Sequence, residues 1–142
     1  MLQNELDMSF NYEPVTYAEI KEGVMKPLGA DTDYRRLTLA SLPHEKSIAD
    51  VNMRLHKKNS GFQSYFIDEE SIVPTQRSKP DLIDRKEVAY VSRETIRNAQ
   101  TFPRDYDFGN NTYAAVGYIC GMSVPPIMIK RIVERLIESG VF

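Results

Sequence analysis

The chain has 142 residues, of which 42% are hydrophobic, enough for one domain, or one domain and a piece of another, with a core that lacks tryptophan. A net charge of −2 leaves no general field for unassisted, non-specific nucleic-acid binding. One cysteine, Cys120, excludes an intramolecular disulfide framework and suits a reducing compartment. No basic segment leads into an apolar one at the start, and no apolar run reaches membrane-spanning length, so the expectation is a cytoplasmic protein with no membrane partner.

Residues 1–30 are acidic and interrupted by proline, which predicts a connector and not the centre of a core. Within it, "VTYAEIKEGV" predicts a short helix capped by Thr16 and stopped at Gly23. From Asp31 to Ser60 the pattern predicts two helical pieces divided at Pro43, the second capped by Ser47 with Ile48, Val51 and Leu55 facing inward. Arg54, His56, Lys57 and Lys58 then cluster. That cluster is either a solvated helix end, where cations suit the dipole, or a phosphate contact.

Strand-like runs follow. "FQSYFI" alternates, "SIVPT" and "EVAYVS" are β-rich, and Pro74 marks an edge or a strand end. Between them "QRSKPDLIDRK" has the composition of a polar loop. Ser92 is placed to cap a helix ending near Ala99, and "TFPRDYDFGNN" is a turn-rich surface segment. Pro125-Pro126 then opens a helix ended by Gly140. Met128, Ile129, Ile132, Val133, Leu136 and Ile137 form one stripe of it, with Lys130, Arg131, Glu134, Arg135 and Glu138 opposite. At about 25 cal/mol per Å2, leaving such a stripe wet forfeits several kcal/mol, so it calls for a partner, either the chain's own sheet or another surface. The expected class is α+β: a small sheet around residues 62–91, flanking helices and an amphipathic C-terminal helix.

Catalytic signatures are sparse. His44, His56 and Cys120 lack metal-ligand spacing. Cys120 lies beside Gly121 in apolar surroundings that favour an inert thiol. "PDLIDRK" has a nuclease-like look, but Asp81 and Asp84 are too close to occupy two strands of a hairpin. "GYICGMS" has glycines four apart without the lysine of a phosphate loop.

"QTFPRDYDF" (Gln100–Phe108), followed by "YICGMSVPPIMIKRIVERL" (Tyr118–Leu136), resembles the C-terminal end of DNA cytosine-5 methyltransferases, particularly phage and prophage types. That family has a Gln-x-Phe-Pro-x-x-Tyr segment, a Gly-Asn-(Ser/Ala)-Val-Pro turn and a final helix. "SIVPTQRS" is similar to its ninth motif, and "LDMSFNYEPVTYAEI" to the connector after its eighth. The last forty or so residues carry the specific part of the likeness, and the first seventy or so a loose one. The family's glycine-rich cofactor loop, Pro-Cys nucleophile, Glu-Asn-Val and Gln-x-Arg-x-Arg segments do not occur in the chain.

The resemblance implies a small-lobe fold with 1–30 as connector, 31–100 as a recognition-like lobe and 101–142 as the part that packs on a catalytic lobe. It places Gly121, Ser123 and Val124 in the turn beside S-adenosylmethionine, with Met122 where the family has Asn. The stripe Met128, Ile129, Ile132, Val133, Leu136 and Ile137 becomes the interface with a catalytic partner. Arg54, Lys57, Lys58, Gln63, Gln76, Arg77 and Lys79 match DNA-contacting positions by type and place. The expected function is the non-catalytic C-terminal half of a split or truncated methyltransferase. Such a half binds cofactor only when a catalytic half completes the pocket, contacts double-stranded DNA, and is inactive alone. The alternative is a stand-alone, phage-derived interaction protein, an inhibitor or decoy of a host defence or nucleic-acid enzyme, with the terminal helix pairing a homodimer.

Overall fold

The computed structural model describes residues 10–23, 25–59 and 64–140. In chain order it contains α1 (Tyr17–Ile20), β1 (Lys26–Pro27), α2 (Asp33–Leu39), α3 (Ile48–His56), β2 (Tyr65–Ile67), β3 (Leu82–Asp84), β4 (Ala89–Tyr90), α4 (Arg93–Ala99), α5 (Tyr113–Met122) and α6 (Pro126–Glu138). The architecture is α+β. The strands form one sheet in the order β1-β4-β3-β2, antiparallel except for the parallel β2–β3 pair. Pro27 lies on an edge strand, where its missing N–H costs no ladder bond.

Helix starts follow local chemistry. Thr32, Ser47, Ser92 and Thr112 each accept a backbone N–H from the first turn through the side-chain oxygen. Ser47 and Asp50 complete a capping box, and Asp50 also accepts from the Lys46 amide at 2.9 Å. As expected, α2 and α3 straddle Pro43 and α4 runs from Ser92. Ile48 and Val51 are buried, but Leu55 points out at 45% exposure, because α3 dips inward only over its first two turns.

The sheet is covered on both faces, so alternate residues of a strand enter different cores. Tyr17, Ile67, Leu82, Val91, Ile96, Val116 and Cys120 form one cluster, with α1, α4 and α5. Leu28, Ile48, Val51, Phe66 and Ile83 form the other, with α2 and α3. Two expectations fail here. "SIVPT" is not a strand: Ile72 makes only an isolated bridge to Thr16, and Pro74 withholds a donor. The supposed polar loop contains β3, an inner strand buried throughout. Two apolar residues between charges are too short a signal, and only pairing with β2 and β4 makes the segment central.

Nor is the N-terminal segment a mere connector. Tyr17 is 1% exposed, and its hydroxyl donates to Asp84 Oδ2 at 2.7 Å. Asp84 also receives Lys21 Nζ at 2.9 Å and the Glu87 amide at 2.9 Å. Burial alone pushes the Asp84 carboxyl up, but the Glu87 amide, Lys21 and Tyr17 together bring it below its ordinary value. Arg85, next in sequence, donates to Asp68, Ser41 Oγ and the Leu42 and Glu45 carbonyls, lashing the α2–α3 loop to the sheet over Phe66.

Helix α5 packs through its glycines. A Cβ at Gly121 would lie 2.0 Å from the Arg77 carbonyl oxygen, and one at Gly117 would lie 2.5 Å from the Pro80 ring. The segment 77–80 therefore lies directly on this helix. Tyr113–Glu138 is the one stretch among the described residues long and apolar enough to be weighed as a membrane span. It comprises two helices, since the backbone is extended at Ser123, and α6 carries Lys130, Arg131, Glu134, Arg135 and Glu138. An open backbone in lipid leaves polar groups unpaired.

Two outcomes test this packing. Gly→Ala inside a helix ordinarily gains up to about 1 kcal/mol, but Gly121→Ala is expected to lose about 1–3 kcal/mol by overpacking. Urea unfolding reads the sign, and a raised midpoint would show that segment 77–78 does not press on α5. Asp84→Asn is expected to cost about 2–4 kcal/mol near neutral pH by stranding Lys21 and Tyr17. Because the Asp84 carboxyl is depressed in the fold, its contribution is present above the ordinary value of 3.8 and disappears as pH falls through the lower folded value. Part of the acid limb of stability should therefore flatten in Asp84→Asn, and an unchanged limb would contradict the network.

Candidate functional site

The expected turn at Gly121–Val124 begins later than the sequence suggests. Helix α5 continues through Met122, and the chain leaves helical geometry only at Ser123. A glycine stands at this helical position because the Arg77 carbonyl occupies the space a side chain would need. Gly121 is thus committed to internal packing. Ser123 Oγ donates to the Ile119 carbonyl at 2.5 Å and finishes the helix. Val124 and Met122 are open, at 54% and 64% exposure. Cys120 faces the core, and burial pushes its thiol up to about 11, so it remains protonated at neutral pH.

Helix α6 starts at Pro126, and Pro125 offers no side-chain cap. The cap comes from elsewhere: Thr101 Oγ1 accepts the Ile127 N–H at 3.1 Å. Thr101 is itself unusual, a β-branched residue at φ 57°. It occupies the left-handed position of a Schellman ending on α4, with Thr101 N–H donating to Asn98 O and Phe102 N–H to Arg97 O. Glycine is the common residue there. The threonine instead links the end of α4 to the start of α6.

Beyond that tether α6 stands proud of the body. None of its residues is fully buried. Ile132 and Leu136 are half-buried, whereas Met128, Ile129, Val133 and Ile137 are exposed. The charged side lies against the N-terminal segment, where Arg131 stacks over the Tyr12 ring at 3.6 Å. Behind the first turn of α6, a cleft of about 840 Å3 is walled by Ile20, Val73, Phe102, Pro126 and Ile127, with Arg104 and Lys130 among its polar residues.

The expected DNA-contacting residues divide between those engaged within the chain and those exposed. Arg54 forks onto Glu45 at 2.8 and 3.2 Å and donates to Ala40 O, and this guanidinium holds the nearly buried Glu45 carboxyl below its ordinary range. Gln76 is buried, with Nε2 donating to Pro74 O. Arg77 pairs with Asp81 and stacks on Tyr65. Lys57 caps α3 in left-handed geometry; with Lys58 and Lys79 it is exposed. Gln63 lies outside the described residues.

Sequence reasoning overlooked Thr101 as a link and Phe102, Tyr106 and Phe108 as a mutual aromatic cluster with ring centroids 4.9–5.8 Å apart. The aromatic spacing in "TFPRDYDF" was the available signal; nothing local marks the threonine's role. Comparison of the chain with family models, curated proteins and solved structures finds no match.

Thr101→Gly should relieve left-handed strain of roughly 1 kcal/mol while removing the cap from α6. Global stability should hold or rise, and amide exchange at Ile127 should accelerate several-fold. Unchanged exchange there would mean that the tether does not position the helix.

Proposed function

We propose that this chain is the non-catalytic C-terminal portion of a DNA cytosine-5 methyltransferase, acting with a catalytic half on another polypeptide. The observation that carries the proposal is the outer part of the apolar stripe of α6, Met128, Ile129, Val133 and Ile137, exposed on a helix held at its start by Thr101. A helix built this way is made for a surface outside the described residues, and its sequence resembles the segment that packs on the catalytic lobe in that family.

In this reading the chain positions and its partner performs the covalent step. The buried, protonated Cys120 is no substitute for the family's nucleophilic thiolate. Of the three positions matched to the S-adenosylmethionine pocket, Val124 fits an open wall. Gly121 and Ser123 hold the α5 end that presents it. The bound cofactor would supply the methyl group; this chain would shape one side of its pocket. Lys57, Lys58 and Lys79 are the groups free in position to neutralise DNA phosphates, whereas Arg54 and Gln76 serve the fold.

The test is methyl transfer from labelled S-adenosylmethionine to DNA. A protein containing the glycine-rich loop and Pro-Cys pair, retrieved from the native cells on this chain, is purified and recombined with it. Activity is expected from the pair and from neither component alone. Ile129→Asp and Val133→Asp should each cut it at least tenfold while leaving the isolated chain folded. Absence of transfer by the pair, or transfer unaffected by these substitutions, refutes the proposal.

A further inference from the structure

We infer that the cleft behind the first turn of α6 is a binding site for an amphipathic monocarboxylate, an aliphatic chain with one anionic head. The inference rests on this cleft and not on the methyltransferase reading. At about 840 Å3 the cleft has the size that small-molecule sites take. It lies where three parts of the fold meet without closing: the end of α1, residues 72–73, and the junction of α4 with α6. Ile20, Ile72, Val73, Phe102 and Ile127 give it an apolar lining, with Ile72 and Ile127 still 62% and 42% exposed. Apolar side chains around one open cavity leave surface wet, and an aliphatic chain seated there removes that surface from water.

The polar groups of the lining decide the head. Asn98 is committed: Nδ2 donates to the Ile20 carbonyl at 3.0 Å and to Glu22 Oε2 at 2.7 Å, and Oδ1 accepts from Arg97. Glu19, the one acid among the lining residues, has Oε2 held by the Thr16 N–H and hydroxyl at 2.7 and 2.8 Å. The groups left over are donors. Thr101 Oγ1 accepts the Ile127 N–H, and its own hydroxyl proton has no acceptor among the described residues. The Arg104 guanidinium makes no hydrogen bond or ion pair among the described residues. It acts on Glu22 only at longer range, while that carboxylate is bonded by Asn98. Lys130 stands 3.8 Å from Glu134, an exposed pair worth little. Three residues past Ile127, it shares that residue's face of the helix. Arg104 and Lys130 against Glu19 leave an excess of one positive charge in the lining, which a single carboxylate neutralises. A guanidinium fork matches a carboxylate in shape as well as charge, whereas a cationic head would leave all three donors unanswered.

Calorimetric titration of the full chain with decanoate near neutral pH tests the inference, with decylammonium as the oppositely charged probe of the same chain length. Saturable binding of decanoate with a Kd below about 1 mM is expected. Decylammonium should bind at least about tenfold more weakly, although the chain's net charge of −2 favours a cation wherever adsorption is merely electrostatic. Arg104→Gln and Lys130→Gln should each weaken decanoate binding about threefold or more, and together about tenfold or more. Arg36→Gln, which removes an exposed cation on α2 beside the other core, should leave the affinity within about twofold. Circular dichroism verifies that each variant is folded. Absence of saturable binding, equal or tighter binding of decylammonium, or decanoate binding indifferent to the changes at Arg104 and Lys130 overturns the inference. So does an equal loss in Arg36→Gln. None of these outcomes bears on methyl transfer by a reconstituted pair.

Discussion

The fold depends on a carboxylate in an inner strand of its sheet. Asp84 is 2% exposed, and a charge so placed must be solvated by the protein itself. It recruits Tyr17 and Lys21 from α1 and the Glu87 amide from its own hairpin. This draws the N-terminal segment onto the sheet, where the Glu22 carbonyl accepts from Ser92 and Thr95 at the head of α4. One strand thus joins elements remote in sequence. The next residue, Arg85, works in the opposite direction and pins the α2–α3 loop by its backbone carbonyls.

A second constraint is steric. Gly117 and Gly121 let the segment 77–80 lie on α5 at distances no side chain would permit. That contact sets the depth of α5 and leaves α6 to emerge outside both hydrophobic clusters. Thr101 then ties the first turn of α6 to the end of α4 at the expense of left-handed strain. Under the proposed function, a strained tether at the start of α6, beside apolar residues that remain exposed, suits a surface used by a partner.

The proposed function divides along the same lines. Groups with their hydrogen bonds spent inside the chain, Arg54, Gln76 and Gly121 among them, sustain the scaffold. Groups left open, Val124 and the outer stripe of α6 above all, are those a partner can use. Under the proposed function, chemistry that needs a thiolate would fall to that partner, since the one cysteine is sealed in the core.

Much of the fold was legible in the sequence wherever the cause was local. Ser47, Ser92 and the Pro125-Pro126 pair marked helix starts because capping and proline geometry act within one turn. The stripe of α6 was legible because helical period alone produces it. What lay beyond reach depended on groups distant in the chain. The place of β3 was set by its pairing with β2 and β4. The core role of Tyr17 came from Asp84, sixty-seven residues away. Arg54 became structural through Glu45, and the need for glycine at position 121 came from the Arg77 carbonyl. The sequence by itself determined where most helices begin, which segments are apolar and how few groups are chemically reactive, but not the helix Tyr113–Met122. Tertiary structure alone decided which polar groups are spent on the fold and which face the solvent, because a hydrogen bond or a steric contact exists only once both partners have been brought together.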